Sequence, residues 1–71
     1  MKSATDRVKR SEVRTVRGID VEVRTIESMN YQGEWEHSGF EIFLGLKKIG
    51  WLWGWPADSD LTRLVLKETK A

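Results

Sequence analysis

The side chains that could carry chemistry are few, and their spacing does not assemble a catalytic site. His37 and Ser38 are adjacent, so on a strand they point to opposite faces, whereas a nucleophile needs its base on the same side. Glu34 and Glu36 share a strand face, but His37 falls on the other, which is the wrong alternation for a metal site. The chain has no Cys, so neither a disulfide nor a structural zinc site is expected. We expect no catalytic residue, no metal ligand and no cofactor.

The spacing of the glycines does not indicate a nucleotide site either. Gly45 and Gly50 have the separation found in a phosphate-binding loop, but Trp51 stands where that loop needs a Lys. The glycines are better explained by turns and bulges in a strand-rich chain.

Charge is unevenly distributed along the 71 residues, although the formal net charge is only +1. Residues 1–17 carry six basic and two acidic side chains, whereas residues 18–45 carry one basic and six acidic side chains. Exposed basic side chains can contact phosphates, and an exposed indole can stack on bases. The acidic middle segment argues against a broad nucleic-acid surface. The candidate nucleic-acid contacts are Arg7, Lys9, Arg10, Lys47, Lys48 and Trp55.

Three of the four Trp residues alternate just before the single Pro. Residues 46–50 read as a connection, and the strand predicted after it places Trp51, Trp53 and Trp55 on one side and ends at Pro56. These indoles could fill the core of a small domain, or form an exposed platform for bases, a peptide or a second subunit. We expect Trp51 and Trp53 in the core and Trp55, at the strand end, to be the most exposed.

A first hairpin is predicted around residues 16–18. Apolar and polar residues alternate strictly over residues 19–24, which is the pattern of a half-buried strand. A three-residue loop with Gly18 in the left-handed conformation would place Val13 and Thr15 on the inner face of this hairpin.

A second hairpin is predicted around residues 37–39. In that register Trp35 faces Phe40 and Tyr31 faces Leu44, so apolar side chains meet on one face.

The segment after Pro56 fits two structures. Asp58 or Ser59 could cap a helix whose apolar face contains Leu61, Leu64 and Val65. Alternation over residues 62–67 also fits a last strand that closes a small barrel.

We therefore predict an α+β domain, a small antiparallel sheet of four to five strands with one C-terminal helix, and as the alternative a small all-β SH3-like barrel. Residues 1–10 are expected to be a flexible basic N-terminal arm, and residues 11–71 a single β-rich domain. The predicted core comprises Ile19, Val21, Val23, Trp35, Phe40, Ile42, Leu44, Trp51, Trp53, Leu61 and Leu64.

The leading functional hypothesis is a non-enzymatic interaction or regulatory module that binds a protein partner, or a second copy of itself, through a sheet face or edge. The candidate interface residues are Trp55 and Phe43, because Phe43 faces away from Phe40 and Ile42. The alternative is a nucleic-acid-binding accessory protein that uses the basic arm and an exposed Trp, and an enzyme is the remote alternative. Residues 1–11 contain no apolar signal segment and no apolar stretch is long enough to span a bilayer, which predicts a cytoplasmic protein with no membrane partner.

Overall fold

The computed structural model describes residues 6–69, which form one sheet and one helix. The strands pair antiparallel in the order β1-β2-β3-β4, and the helix packs on one face of the sheet. The predicted α+β class with a C-terminal helix is confirmed. The first and last strands lie at opposite edges of an open sheet, so the barrel alternative is not formed. The elements are β1 (Asp6–Val16), β2 (Ile19–Met29), β3 (Trp35–Leu44), β4 (Lys47–Leu52) and α1 (Asp58–Thr69).

Strands β1 and β2 are joined by a turn of two residues, not the three that the sequence predicted. Arg17 and Gly18 both have positive φ, at 52° and 76°, which is the signature of a type I′ turn. Val16 therefore pairs directly with Ile19. This turn matches the right-handed twist of the two strands and fixes their register.

The shorter turn reverses the faces predicted for β1. Because side chains alternate along a strand, moving the register by one residue transfers each of them to the other face. Val16 and Arg14 lie on the helix side with Val21, whereas Val13 lies on the opposite side and is 64% exposed. The prediction that Val13 faces the core was wrong.

Strand β1 also begins earlier than expected. Residues 6–10 pair with the end of β2, so the predicted boundary at Ser11 is corrected for these residues, and residues 1–5 lie outside the described part of the chain. The register shifts between Val8 and Arg10, which makes Lys9 the extra residue of a bulge. The bulge interrupts the period of two, and this is why the segment looked unpatterned in the sequence.

Strand β3 runs without a break through residues 37–39, where a turn was predicted. The chain reverses earlier, at Asn30, whose side-chain oxygen accepts hydrogen bonds from the backbone N–H groups of Gln32 and Glu34 at 2.9 and 3.0 Å. Ser38 is instead the extra residue of a bulge opposite β2. Small residues mark bulges as well as turns, so this sequence signal was misassigned.

Strand β4 and the turn before it are displaced from their predicted positions. Leu44 pairs with Lys47 across a tight turn, so residues 47–50 are strand rather than connection. The strand ends at Leu52, before the alternating Trp residues are complete. A Cβ atom at Gly50 would lie only 2.7 Å from Leu64 Cδ1 of α1, so the missing side chain permits the helix to approach.

The N-cap residue of helix α1 is Ala57, one residue before Asp58, the earlier of the two caps that the sequence suggested. The Ala57 N–H donates to the Asp60 carboxylate at 3.1 Å, and the Leu61 N–H donates to the Ala57 carbonyl at 3.1 Å. This is one half of a capping box: Asp60, at the third helical position, bonds back to the N–H of the N-cap residue Ala57, which has no side-chain acceptor to complete the box. Asp58 and Ser59 therefore lie in the first turn. The negative charge of Asp58 interacts favourably there with the positive end of the helix dipole.

The core lies between α1 and the half of the sheet nearest the Arg17-Gly18 turn. Ile19 and Leu64, both predicted as core, are only partly buried at its margin. Trp35, Leu44 and Trp51 are half-buried outside it, and Trp53 is exposed. No helix among residues 6–69 has the length and apolarity needed to cross a membrane. The buried core residues are Val16, Val21, Val23, Phe40, Ile42, Leu61 and Val65.

Two Leu→Ala substitutions on the same helix test this packing. Leu61 is fully buried and Leu66 is 45% exposed. We expect Leu61→Ala to lower the free energy of unfolding by about 3 kcal/mol, because it leaves a cavity under α1, and Leu66→Ala to lower it by less than about 1 kcal/mol. Urea denaturation of the two variants measures the difference, and equal losses would contradict the assigned helix face.

Candidate functional site

The side of the sheet opposite α1 carries no second layer in the described part of the chain. We call it the open face. Its members follow from the register, because cross-strand partners share a face, and Ile42 and Gly50 lie on the helix side. The side chains at its centre belong to Ser11, Val13, Glu22, Arg24, Ile26, Glu41, Phe43, Lys48 and Trp51.

An indole replaces the missing layer over part of the open face. A Cβ atom at Gly39 would collide with the ring of Trp51, so this ring lies flat against the backbone of β3. Ile26 is the direct partner of Gly39 on β2 and is only 3% exposed, although no helix covers it. The glycine therefore creates the space in which Trp51 shelters a small apolar patch.

The remaining two Trp residues of the alternating run lie apart from each other. Trp53 packs edge-on against Trp51, with ring centroids 5.9 Å apart, and is 76% exposed. Trp55 packs edge-on against Phe40, at 5.4 Å, on the helix side. The chain leaves the sheet after Leu52, so the period of two no longer determines where these side chains point.

Two sequence expectations about these indoles were therefore wrong. Trp53 was expected to be the buried one, and Trp55, at 56% exposure, is less exposed than Trp53. Trp55 is shielded because Arg14 lies 5.4 Å from the centroid of its ring and Phe40 covers its edge.

A network of charges crosses the open face. Glu22 accepts hydrogen bonds from Arg24 Nε at 2.8 Å and from Ser11 Oγ at 2.6 Å. Both bonds lower the pKa of Glu22 below its ordinary value of 4.5, and the bond from Arg24 has the larger effect. The same hydrogen bond raises the pKa of Arg24 above its ordinary value. The pair is thus ionised near neutral pH.

Phe43 lies on this face, on the opposite side of the sheet from Ile42. The Arg24 guanidinium lies 4.0 Å from the centroid of its ring, in a cation–π contact. On the neighbouring strand, Lys48 pairs with Glu41 at 3.3 Å and lies 5.5 Å from the centroid of Trp51. Aromatic and charged side chains therefore alternate across the open face.

The basic residues singled out in β1 lie together on the helix side of the sheet, in the part that α1 does not cover. Arg7 donates to the Glu27 carboxylate at 2.9 and 3.0 Å, and its guanidinium lies 3.9 Å from the centroid of the Trp35 ring. The bulge turns Lys9 to the same side, 3.7 Å from Glu27. Arg10 is paired with Glu12 at 3.3 Å.

Lys47 and Lys48 do not extend this basic group. Both lie at the start of β4, next to the turn that follows Leu44, at the opposite end of the sheet from Arg7. Lys47 is paired with Glu68 of α1. The basic residues among the sequence-predicted nucleic-acid contacts are therefore divided between two ends of the molecule, and Trp55 lies against Phe40 and Arg14 instead.

The described residues hold no group of three or more His, Asp or Glu side chains placed to bind a metal ion. The surface formed by residues 6–69 has no pocket either. Comparison of the chain with protein-family models, with curated proteins and with solved structures found no match in any of the three.

The contact between Gly39 and Trp51 can be tested by adding a methyl group. We expect Gly39→Ala to displace the indole and lower the free energy of unfolding by about 1–3 kcal/mol. In a Trp51→Ala background the same change costs less, because the obstructing ring is gone. Gly54→Ala is the control, since a Cβ atom there meets nothing within 4 Å. Denaturation of the four variants gives the coupling, and additive losses would contradict the contact.

The hydrogen bond from Ser11 to Glu22 predicts a pH dependence. Because the pKa of Glu22 is lower in the folded state, its ionisation stabilises the fold above pH of about 4.5, and this contribution is lost as pH falls through the folded-state pKa. We expect Ser11→Ala to raise the pKa of Glu22 measured by NMR titration. Thr15→Ala is the control, because the Thr15 hydroxyl donates to Asp20 instead. An unchanged pKa in Ser11→Ala would contradict the assignment.

Proposed function

We propose that the protein is a non-enzymatic interaction module that binds another protein through the open face of its sheet, and that the partner which fits this face is a second copy of the chain. The observation that carries the proposal is the indole of Trp53, which packs edge-on against Trp51 and is 76% exposed on a face that no second layer of residues 6–69 covers. Tryptophan is among the residues that contribute most to binding energy in protein interfaces.

The apolar content of the open face supports an interface. Trp53, Val13 and Val8 are all exposed there, and Phe43 lies on the same face, in contact with the Arg24 guanidinium. Large apolar side chains gathered on an exposed face are a feature of interaction sites. The four strands have 11, 11, 10 and 6 residues, and at ~3.3 Å per residue and ~4.8 Å between strands they offer roughly 600 Å². This is comparable with the ~800 Å² that each partner contributes to a standard interface.

The charges of the open face favour a second copy as the partner. Its centre carries the acids Glu22 and Glu41 and the bases Arg24 and Lys48. In a two-fold symmetric complex the same patch meets itself, so a patch must be complementary to its own image. Equal numbers of both signs meet this condition, and each acid of one subunit can face a base of the other.

The alternative of nucleic-acid binding receives less support from the arrangement. Arg7 and Lys9 both lie against Glu27, and Arg10 lies against Glu12, so part of their charge is compensated within the chain. Lys47 lies at the other end of the sheet, paired with Glu68. Neither basic group has an unshielded indole beside it.

Sedimentation equilibrium at several protein concentrations tests the proposal. We expect a dimer with a micromolar dissociation constant, weakened at least tenfold, or by about 1.4 kcal/mol, by Trp53→Ala. Because Trp53 is exposed, the substitution should change the free energy of unfolding by less than about 1 kcal/mol. Trp55→Ala is the matched control, since Trp55 lies on the helix side and should leave dimerisation unchanged. A wild-type chain that stays monomeric at hundreds of micromolar would refute the proposal.

A further inference from the structure

We infer that the outer edge of β1 is a docking site for an acidic, extended polypeptide segment, which adds a fifth strand to the sheet. This site is separate from the open face and does not depend on dimerisation there. The inference rests on the backbone geometry of β1 and on the sign of the charges along it.

The turn at Arg17-Gly18 determines which backbone groups of β1 point outward. In a two-residue hairpin the residues that flank the turn, here Val16 and Ile19, form a hydrogen-bonded pair, and such pairs recur at every second position. Arg14 and Glu12 therefore bond to β2, whereas the N–H and carbonyl groups of Ser11, Val13 and Thr15 point away from the sheet. No backbone hydrogen bond within residues 6–69 joins these groups to another element.

This edge is regular and accessible over the same stretch. The pairing of β1 with β2 has no irregularity from Arg10 to Val16, and the bulge lies just before it, at Lys9. Helix α1 reaches the edge only at its start, where Arg14 bonds to Pro56 and Asp58. A row of unpaired backbone donors and acceptors on a regular edge is the template to which an extended peptide adds as a strand.

The charge of the edge selects the partner. The first strand and its turn carry five basic and two acidic side chains over residues 6–17. Two copies paired edge to edge would each bring a net charge of +3, so repulsion opposes β1–β1 pairing. An acidic strand is attracted instead. Lys9 and Arg10 each have an acidic neighbour within the chain, Glu27 and Glu12, but their side chains stay 59% and 67% exposed and can contact an added strand.

The alternation of β1 also predicts the pattern of the partner. In an antiparallel pair, residues directly opposite share a face. The residue opposite Arg10 and the next one toward Lys9 should be acidic, the residue opposite Glu12 should be uncharged, and the one opposite Val13 should be apolar or β-branched. Arg14 is already bonded to Pro56 and Asp58, so the residue opposite it should be uncharged. A suitable probe is an end-blocked peptide of sequence Thr-Thr-Val-Thr-Thr-Glu-Glu, with the Glu→Gln peptide as its control.

The experiment is an NMR titration with amide hydrogen exchange, carried out in the Trp53→Ala background so that dimerisation through the open face does not contribute. We expect the peptide to slow exchange of the Ser11, Val13 and Thr15 amides, while the Arg14 amide, already bonded to β2, changes little. The Glu→Gln peptide should bind at least tenfold more weakly. Arg10→Gln should also weaken binding of the acidic peptide at least tenfold, whereas Lys67→Gln, which changes an exposed base on α1, should not.

A proline substitution separates strand addition from simple charge attraction. Val13→Pro removes an outward N–H without removing a bond to β2, and proline is tolerated on edge strands. It should abolish peptide binding with the circular dichroism of the sheet retained. If Val13→Pro does not fold, the exchange measurement on the parent chain still decides the question.

Two outcomes would overturn the inference. One is binding of the peptide without protection of the outward amides, which would mean contact between charged side chains only. The other is preferential binding of a single-stranded oligonucleotide of equal charge, which would assign the basic edge to nucleic acid. Either result would leave dimerisation through the open face untouched, because that is measured separately by sedimentation.

Discussion

The structure depends on the contact between one short helix and one half of one sheet face. Leu61 and Val65 of α1 are completely buried against Val21 and Ile42, and Gly50 allows the helix to come close. The helix has 12 residues and is about 18 Å long, whereas strands β1 and β2 extend for about 35 Å. One helix of this length cannot cover the sheet, so the remaining surface must be stabilised in other ways.

The uncovered parts are held by side chains that bridge neighbouring strands. Beyond the helix, Arg7 links β1 to Glu27 of β2 and to Trp35 of β3. On the opposite side, Trp51 lies over Gly39 and next to Ile26. In these contacts a partly exposed Arg or Trp side chain covers neighbours that include the buried Glu27 and Ile26. They stabilise the sheet less than a packed layer does, and they leave surface free for binding.

The two surfaces proposed for binding have different chemistry because they come from different features of the strand. The open face presents side chains, so its partner is chosen by apolar contact and by balanced charges around Trp53 and Phe43. The edge of β1 presents backbone groups, so its partner must be extended, and the surplus of Arg and Lys requires that partner to be acidic. Both surfaces belong to the same strand at Val13, whose side chain lies on the open face and whose N–H points outward.

The sequence by itself determined the strand over residues 19–24, because an uninterrupted period of two is a local property. It favoured the α+β class and the C-terminal helix but left the strand of a small barrel as the alternative for residues 62–67, and the packing of α1 on the sheet decided between them. It also placed Phe43 on the side of the sheet away from Ile42. It could not determine the register of β1, the continuity of β3 or the positions of Trp53 and Trp55. Each of these depends on a turn of two residues instead of three, on the bulges at Lys9 and Ser38, or on the end of β4 at Leu52. A change of one residue at such a point moves every following side chain to the other face, and only pairing with a neighbouring strand and packing against α1 decide which arrangement has the lower free energy.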